Sequence, residues 1–297
     1  MKTLDLFFRV VKQDLFLLVC GVFLIVVVSL AFVGIYFTGY TYDQITDASL
    51  LPPSYAHWFG TDVNGHDLLT RTLYGAQISL FVAAMGTIVS LTVGVTYGMI
   101  SGYAGGRVDN LMMRVVEIIY SLPTLVLVIV LVTTLDGPVA SLLKSTGLTL
   151  FPPRLVLIVL FLGLTEWLTM ARIIRGQVLV LKEQAFVQAS SALGQSHPRI
   201  LWQHLLPNLS GLIVIYLTLT IPAIMLDESF MSFLGVGVPA PLASWGTLVS
   251  DAASLINPIK LYWWMLIFPG GLMTLTLLAL NFLGDGLRDA LDPRVRK

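Results

Sequence analysis

The sequence predicts an all-α, polytopic membrane protein with six transmembrane helices. Three observations carry this. Charge is scarce: 17 Lys and Arg and 17 Asp and Glu make up 11% of 297 residues, against about 25% in an ordinary soluble domain. The charges are bunched, leaving six charge-free runs of 18 residues or more, five of them free of the Gly and Pro density that breaks a helix. Lys and Arg also collect on alternate sides of those runs. A chain that is 56% hydrophobic cannot cover a soluble surface. That excludes a soluble enzyme, a disordered chain and a nucleic-acid binder with a basic face.

Crossing the hydrocarbon core takes about 20 apolar residues. The runs Leu15–Tyr42, Thr72–Gly106, Ile118–Leu135, Ile200–Leu226 and Leu261–Gly284 lack Asp, Glu, Lys and Arg, so each reads as a span. A sixth, Leu155–Ile174, carries Glu166. A central charge costs about 2.5–3.5 kcal/mol on insertion scales and each Leu, Ile, Val or Phe returns about 0.3–0.6, so the apolar run from Leu155 to Leu162 can offset it. Ser229–Ser250 is also poor in charge, but Gly235, Gly237, Pro239 and Pro241 break a helix there. The first span is too long for a signal-peptide core and reads as a permanent anchor. With one cysteine, Cys20, no internal disulfide can form.

Orientation follows from Lys and Arg. With the N-terminus inside, Lys2, Arg9, Lys12, Arg107, Arg114, Arg172, Arg175, Lys182, Arg199, Arg288, Arg294, Arg296 and Lys297 are inside, and Arg71, Lys144, Arg154 and Lys260 outside. Both termini are then cytoplasmic. Residues 1–75 form an anchor span with an outer loop, and 76–297 a core of five spans. Residues 43–75 and 233–260 are outer segments, and 175–208 is the long inner loop. Trp58, Trp245, Trp263 and Trp264 fall near the outer boundary, as in an interfacial belt. Asp62 and Asp67 suit a local turn at Asn64 and Gly65. Arg114 and Glu117 are spaced to pair on one helix.

In the inner loop, Phe186, Ala189 and Leu193 recur at helical spacing, Gly194 suits a helix end and Pro198 a new first turn. This is helix, sharp turn, helix, with the next span starting near Pro207. Two readings fit the periodicity: a helix on lipid headgroups, or one that fills a groove in a soluble partner. A lipid-surface helix usually carries Lys or Arg on its polar face. Between Glu183 and His197 there are none, which favours a protein partner.

These residues resemble the E-A-A…G…I-x-L-P loop of bacterial ABC importer permeases. Gln188-Ala189-Ser190, Gly194 and His204-x-Leu206-Pro207 fall on its spacing, with Gln188, Ser190 and His204 departing from it. His57-Trp-Phe-Gly-Thr-Asp62-Val-Asn-Gly65-His-Asp67, Ser232-Phe-Leu-Gly235-Val-Gly237 with Trp245-Gly246, and Asn281-Phe-Leu-Gly-Asp285-Gly-Leu-Arg288-Asp-Ala-Leu-Asp292-Pro293 resemble segments of the dipeptide/oligopeptide permease family, in its C-type subunit. The resemblance runs from about residue 57 to the end.

It implies a type I importer permease in the bacterial inner membrane, conducting peptides or similar small solutes. The implied partners are a second, homologous permease subunit in a heterodimer, two cytoplasmic ATP-binding subunits and an extracytoplasmic substrate-binding protein. Phe186, Gln188, Ala189, Ser190, Leu193, Gly194, Leu206 and Pro207 are then the candidate ATPase-coupling residues. No cofactor is expected on this chain, ATP and Mg belonging to the ATPases. The sequence holds no phosphate-binding loop of the G-x-x-x-x-G-K type and no H-E-x-x-H zinc motif, and its four histidines are split between opposite faces. Gly235-x-Gly237 and Gly284-x-Gly286 read as backbone permissiveness.

Ionisable residues near spans are functional suspects. Asp227 and Glu228, near the outer end of the fifth span, and Glu166 are candidates for the translocation path; the two former also suit anchoring the irregular segment through backbone N–H groups. Two other classes are compatible with a charge-poor polytopic chain: an ion- or proton-coupled secondary transporter, and a membrane-embedded enzyme. The former needs no docking loop, and the latter lacks a clustered constellation. A reporter fused near residue 190 is expected to read as cytoplasmic and one near residue 60 as external; the reverse result overturns the charge-based orientation.

Overall fold

The computed structural model describes residues 15–147, 151–256 and 260–291. Lys2, Arg9, Lys12, Arg294, Arg296 and Lys297, together with Asp292 and Pro293 of the C-terminal signature, lie outside the described residues. Among those described, the chain is helical without a strand; Thr61 and Asp67 form an isolated bridge. In order, the helices are α1 (Leu15–Phe32), α2 (Leu68–Ala104), α3 (Gly106–Tyr120), α4 (Thr124–Thr146), α5 (Pro153–Lys182), α6 (Ala185–Ala192), α7 (His197–Phe233), α8 (Trp245–Ser254) and α9 (Trp263–Leu291). Six of these, α1, α2, α4, α5, α7 and α9, are long and apolar enough to cross a membrane. The all-α, six-span architecture read from charge gaps is the one the chain adopts.

Helix ends follow local chemistry more than charge. Asp67 caps α2 by accepting the Thr70 N–H at 2.9 Å. Gly105, at φ +65°, ends α2 and allows α3 to leave at once. Pro123 separates α3 from α4, so the fourth-helix run expected from Ile118 is divided: its first residues finish α3. α4 then continues past Asp136 to Thr146, because a charge marks the edge of the hydrocarbon and need not end the helix. Pro152 and Pro153 open α5, as proline can in a first turn. Ser244 and Thr247 form a reciprocal capping box on α8, inside the segment expected to be irregular.

The expected break near Pro207 does not occur. α7 is continuous from His197, with a π-helical turn over Leu201–Leu205. There the Leu206 N–H bonds the Leu201 carbonyl, five residues back. Pro207 has no N–H for the ordinary ladder, and the wider turn just ahead of it absorbs the mismatch.

Helices α2 and α5 pack the closest. On α2, Gly86, Ser90, Gly94, Gly98 and Gly102 repeat every four residues and form one small-residue stripe. A Cβ on Gly94 would lie 2.7 Å from Met170 Cβ, and one on Gly98 would lie 2.5 Å from the Ala171 carbonyl oxygen. A Cβ on Gly102 would lie 2.8 Å from the Arg175 carbonyl oxygen. The contact is reciprocal at Gly163 of α5, which faces the Gly86 carbonyl. Without a hydrophobic drive in lipid, such backbone approach supplies the dispersion energy that holds helices together.

Two readings of the sequence change here. Trp245 is wholly enclosed and donates its indole N–H to the Thr72 carbonyl at 3.0 Å, and Trp264 is also buried. Only Trp58 and Trp263 are exposed as a belt requires. Gly284 and Gly286 lie within α9, where they admit Thr218 and Leu17 side chains; close packing, not unusual φ, explains them. Arg114 and Glu117 do pair, at 3.3 Å on an exposed face, where such a pair contributes little.

Gly98→Leu is expected to cost at least about 1–3 kcal/mol, the usual range for overpacking, because the obstacle includes backbone. A lowered melting midpoint of the detergent-solubilised protein, with Gly137→Leu on open space as the unaffected control, checks it.

Candidate functional site

The loop between α5 and α7 is built as a rigid element. Lys182 ends α5 and Ala185 starts α6, with Glu183 and Gln184 between them. The α6 C-terminus closes on Gly194 at φ +75°, with the Gly194 N–H on the Ser191 carbonyl and the Gln195 N–H on the Ser190 carbonyl. A side chain at Gly194 would meet no neighbouring atom, so only its left-handed backbone asks for glycine. His204 Nε2, in the π turn, sits 2.9 Å from Gln195 Oε1 and 3.4 Å from Ser190 Oγ. His204 therefore ties the start of α7 to the turn and to α6, a role its departure from the family motif did not suggest. Pro198 sits in the first turn of α7, as its sequence position implied.

α6 has two faces. Val187 and Ser190 are buried, Val187 joining a core of Met99, Ile174, Val178, Ile200 and Leu205 from α2, α5 and α7. Ser190 Oγ also donates to the Phe186 carbonyl. The stripe Phe186, Ala189 and Leu193 points outward, with Leu193 84% and Phe186 41% exposed. Gln188 is exposed beside it and donates to the Glu183 carbonyl at 3.2 Å. Leu206 is half-buried and Pro207 exposed on α7. Next to α6, an open groove of about 610 Å³ is lined by Tyr103, Lys182, Gln188 and His197, among others.

An ion pair that sequence spacing did not reveal braces this end. Arg175 of α5 grips Asp109 of α3 with Nε on Oδ1 at 2.5 Å and Nη2 on Oδ2 at 2.6 Å. Ser101 of α2 donates to the same carboxylate. The Arg175 guanidinium holds the Asp109 carboxyl below its usual range, with burial opposing and Ser101 assisting. A depressed carboxylate stabilises the fold fully above the ordinary value near 3.8, and that contribution is lost only as pH falls through the lower folded value. The brace therefore persists across neutral and mildly acidic pH.

At the opposite end, Glu228 of α7 is 0% exposed. Its oxygens accept from Ser232 Oγ at 2.7 Å and Ser79 Oγ at 3.2 Å. Ser79 in turn accepts the Trp245 backbone N–H, and Ser232 accepts from Ser244 Oγ at 3.3 Å. One carboxyl thus joins α2, α7 and the start of α8. In this conformation Glu228 does not line an open path. It anchors the irregular segment, and it does so through serine hydroxyls where backbone N–H groups were expected. Asp227 and Glu166 are only half-buried. Asp62 and Asp67 are structural as well. Asp62 accepts from the Asn64 and His66 N–H groups and from Arg71, and Asp67 pairs with His57 while capping α2.

The comparison with known proteins meets this geometry at the loop. The family model described as binding-protein-dependent transport system inner membrane component matches residues 94–297, which contain α6, the Gly194 turn and Pro207. The chain belongs to that family. A dipeptide transport system permease of Bacillus subtilis is 47% identical over 247 residues, covering 83% of this chain and 72% of the relative. An oligopeptide transport system permease of the same organism is 42% identical over 278 residues, covering 92% and 85%. The oligopeptide permease of Haemophilus influenzae is 45% identical over 240 residues, covering 81% and 71%. As an inner membrane component, the chain is the multi-pass permease part of a transport system that works with binding-protein and ATPase components. The ion-coupled reading is set aside.

Glu228→Gln keeps the shape of the anchor and one acceptor oxygen, its amide N–H group requiring one serine hydroxyl to accept instead of donate, and is expected to cost less stability than an apolar replacement. Glu228→Leu orphans the serine hydroxyls and is expected to destabilise by about 1–3 kcal/mol. Parallel melting curves of the two variants check this; equal loss in both would mean that the charge itself is required.

Proposed function

We propose that this chain forms one half of a heterodimeric pore for peptides or similar small solutes, driven by two cytoplasmic ATPase subunits and supplied by an extracytoplasmic binding protein. The peptide substrate is supported by the relatives, whose names are those of dipeptide and oligopeptide transport permeases. The loop end then faces the cytoplasm, with both termini on that side, and the Asp62–Arg71 end faces outward.

The observation that carries the coupling role is the outward stripe of Phe186, Ala189 and Leu193 on a helix whose other face is locked into the bundle. Phe186 and Leu193 are plugs for an apolar socket. Ala189 and Gln188 allow close approach, and Ser190 and Gly194 fix the helix and its end. Leu206 and Pro207 set where α7 departs. ATP-driven closure of the ATPases displaces α6, and the short connections at Glu183–Gln184 and at Gly194 pass that displacement to α5 and α7. Gln188 carries no charge, so the contact rests on shape and hydrogen bonds. Asp227 and Glu166 are proposed for the path, where half-buried carboxylates would attract a peptide's amino terminus. Glu228 supports that path from behind by holding α8. ATP and Mg are assigned to the partner subunits, and this chain acts without catalysis.

Gly194→Leu, strained at φ +75°, is expected to uncouple the complex, and Phe186→Ala with Leu193→Ala to weaken ATPase association without altering membrane insertion. Peptide uptake into proteoliposomes and co-purification of the ATPase check this. Unchanged ATP-driven uptake in both variants sinks the docking role of the loop.

A further inference from the structure

A second apolar surface is unaccounted for by coupling or transport. Directly after α1, a single 3-10 turn over Gly34–Phe37 turns Tyr36 and Phe37 outward, and both are almost fully exposed. In the following outer segment Tyr55 is 103% and Trp58 69% exposed. Between these aromatics and α2 lies a groove of about 520 Å³ with mainly apolar walls, including Leu30, Phe37, Trp58, Phe59 and Leu73.

The groove is a built feature. His57 lies between Tyr55 and Trp58, and its ring is fixed by Asp67 at 2.9 Å. Its carbonyl accepts both the Ser54 and the Gly60 N–H groups, which closes the turn. Tyr40 packs on the His57 ring and donates to the Ala56 carbonyl. Phe59 stacks on Phe268 of α9 at 4.0 Å. The turn that carries Tyr55 and Trp58 is thus held in place from both sides.

We propose that this groove holds lipid: an acyl chain of the outer leaflet seated under an aromatic rim. Two observations choose lipid over a protein occupant. First, the groove is continuous with the exposed apolar side of α1, a helix long and apolar enough to cross a membrane: Leu30 belongs to the last turns of that span and also to the groove wall. α1 exposes Val19, Val22, Ile25, Val26 and Phe32 along its length, so the same apolar surface runs from the bilayer into the groove. Second, the rim has the chemistry of the headgroup boundary, where Tyr and Trp place an apolar ring in the acyl region and a polar tip in water. No Lys or Arg occurs between Lys12 and Arg71. The rim therefore offers no cation to an anionic headgroup, and the occupant is a zwitterionic phospholipid. The outer segment thereby gains a fixed depth in the membrane, which sets the height at which the far end of α2 meets the aqueous side.

The test uses the full transporter in nanodiscs of phosphatidylcholine brominated either near the headgroup or deep in the acyl chain. Subtracting the emission of Trp58→Phe from that of the unaltered protein isolates Trp58; Trp58→Tyr, excited at the red edge, serves if the Phe variant assembles poorly. Shallow bromine is expected to quench most of the Trp58 emission, deep bromine to quench less, and adding anionic lipid to change neither. Trp58 emission that ignores both bromines, is quenched by aqueous iodide and is shielded when the binding protein is added would overturn the lipid site and assign the rim to that protein. Trp58 emission quenched by iodide with or without the binding protein would overturn it as well.

Discussion

The backbone-to-backbone approach of α2 and α5 is the constraint on which the other parts depend. Three glycines on α2 bring it within a methyl group's width of the α5 backbone. Two helices held that closely cannot slide or tilt independently without losing contacts along several turns. They behave as one strut. Both candidate sites are attached to it. At one end Ser101 of α2 and Arg175 of α5 hold Asp109, and Tyr103 of α2 meets His197 at 3.0 Å. At the other, Ser79 of α2 holds Glu228, and Thr72 accepts the Trp245 indole.

This arrangement explains why the bundle tolerates so little charge and still places it well. Asp109 and Arg175 neutralise each other with two parallel bonds, the geometry in which a guanidinium and a carboxylate are most favourable. Glu228 has hydroxyl donors in place of a cation, a gentler arrangement that stays compact enough for Gly246 to approach the Ser229 carbonyl. In lipid, an ionisable group without such partners is costly, and Asp109 and Glu228 each sit at a junction between helices.

Much of the architecture was legible because lipid imposes a rule that single residues obey. Span number followed from five runs without Asp, Glu, Lys or Arg and a sixth whose apolar residues offset Glu166, and the α6 turn from Gly194 and Pro198. Three features were hidden for physical reasons. The glycine stripe is visible as a four-residue period, but its partner on α5 is set by tertiary contact. Asp109 and Arg175 are 66 positions apart, beyond any local spacing rule. Trp245 was assigned to an interfacial belt because its place near a boundary was readable while its burial under α2 was not. The break expected at Pro207 failed because a π turn can absorb a proline that an α-helical ladder rejects. At the candidate sites, the sequence located α6 and the acidic pair, but only the fold separates the enclosed Glu228 from the half-open Asp227.

The proposed docking contact inherits the same economy. A coupling helix has to transmit force in both directions of a cycle, which demands a contact that neither slips nor binds irreversibly. An ion pair on an exposed surface loses strength within a Debye length of about 8 Å in physiological salt. An apolar plug is far less sensitive to salt and resists sliding because displacing it exposes area to water. Phe186 and Leu193 stand one helical face apart from Val187, which is itself clamped between α2, α5 and α7. A push on the outer stripe therefore acts on the core that holds Val187 with only the α6 backbone between them. In the proposed cycle the strut of α2 and α5 would carry that push along its length, because its glycine contacts leave no gap in which the motion could be absorbed.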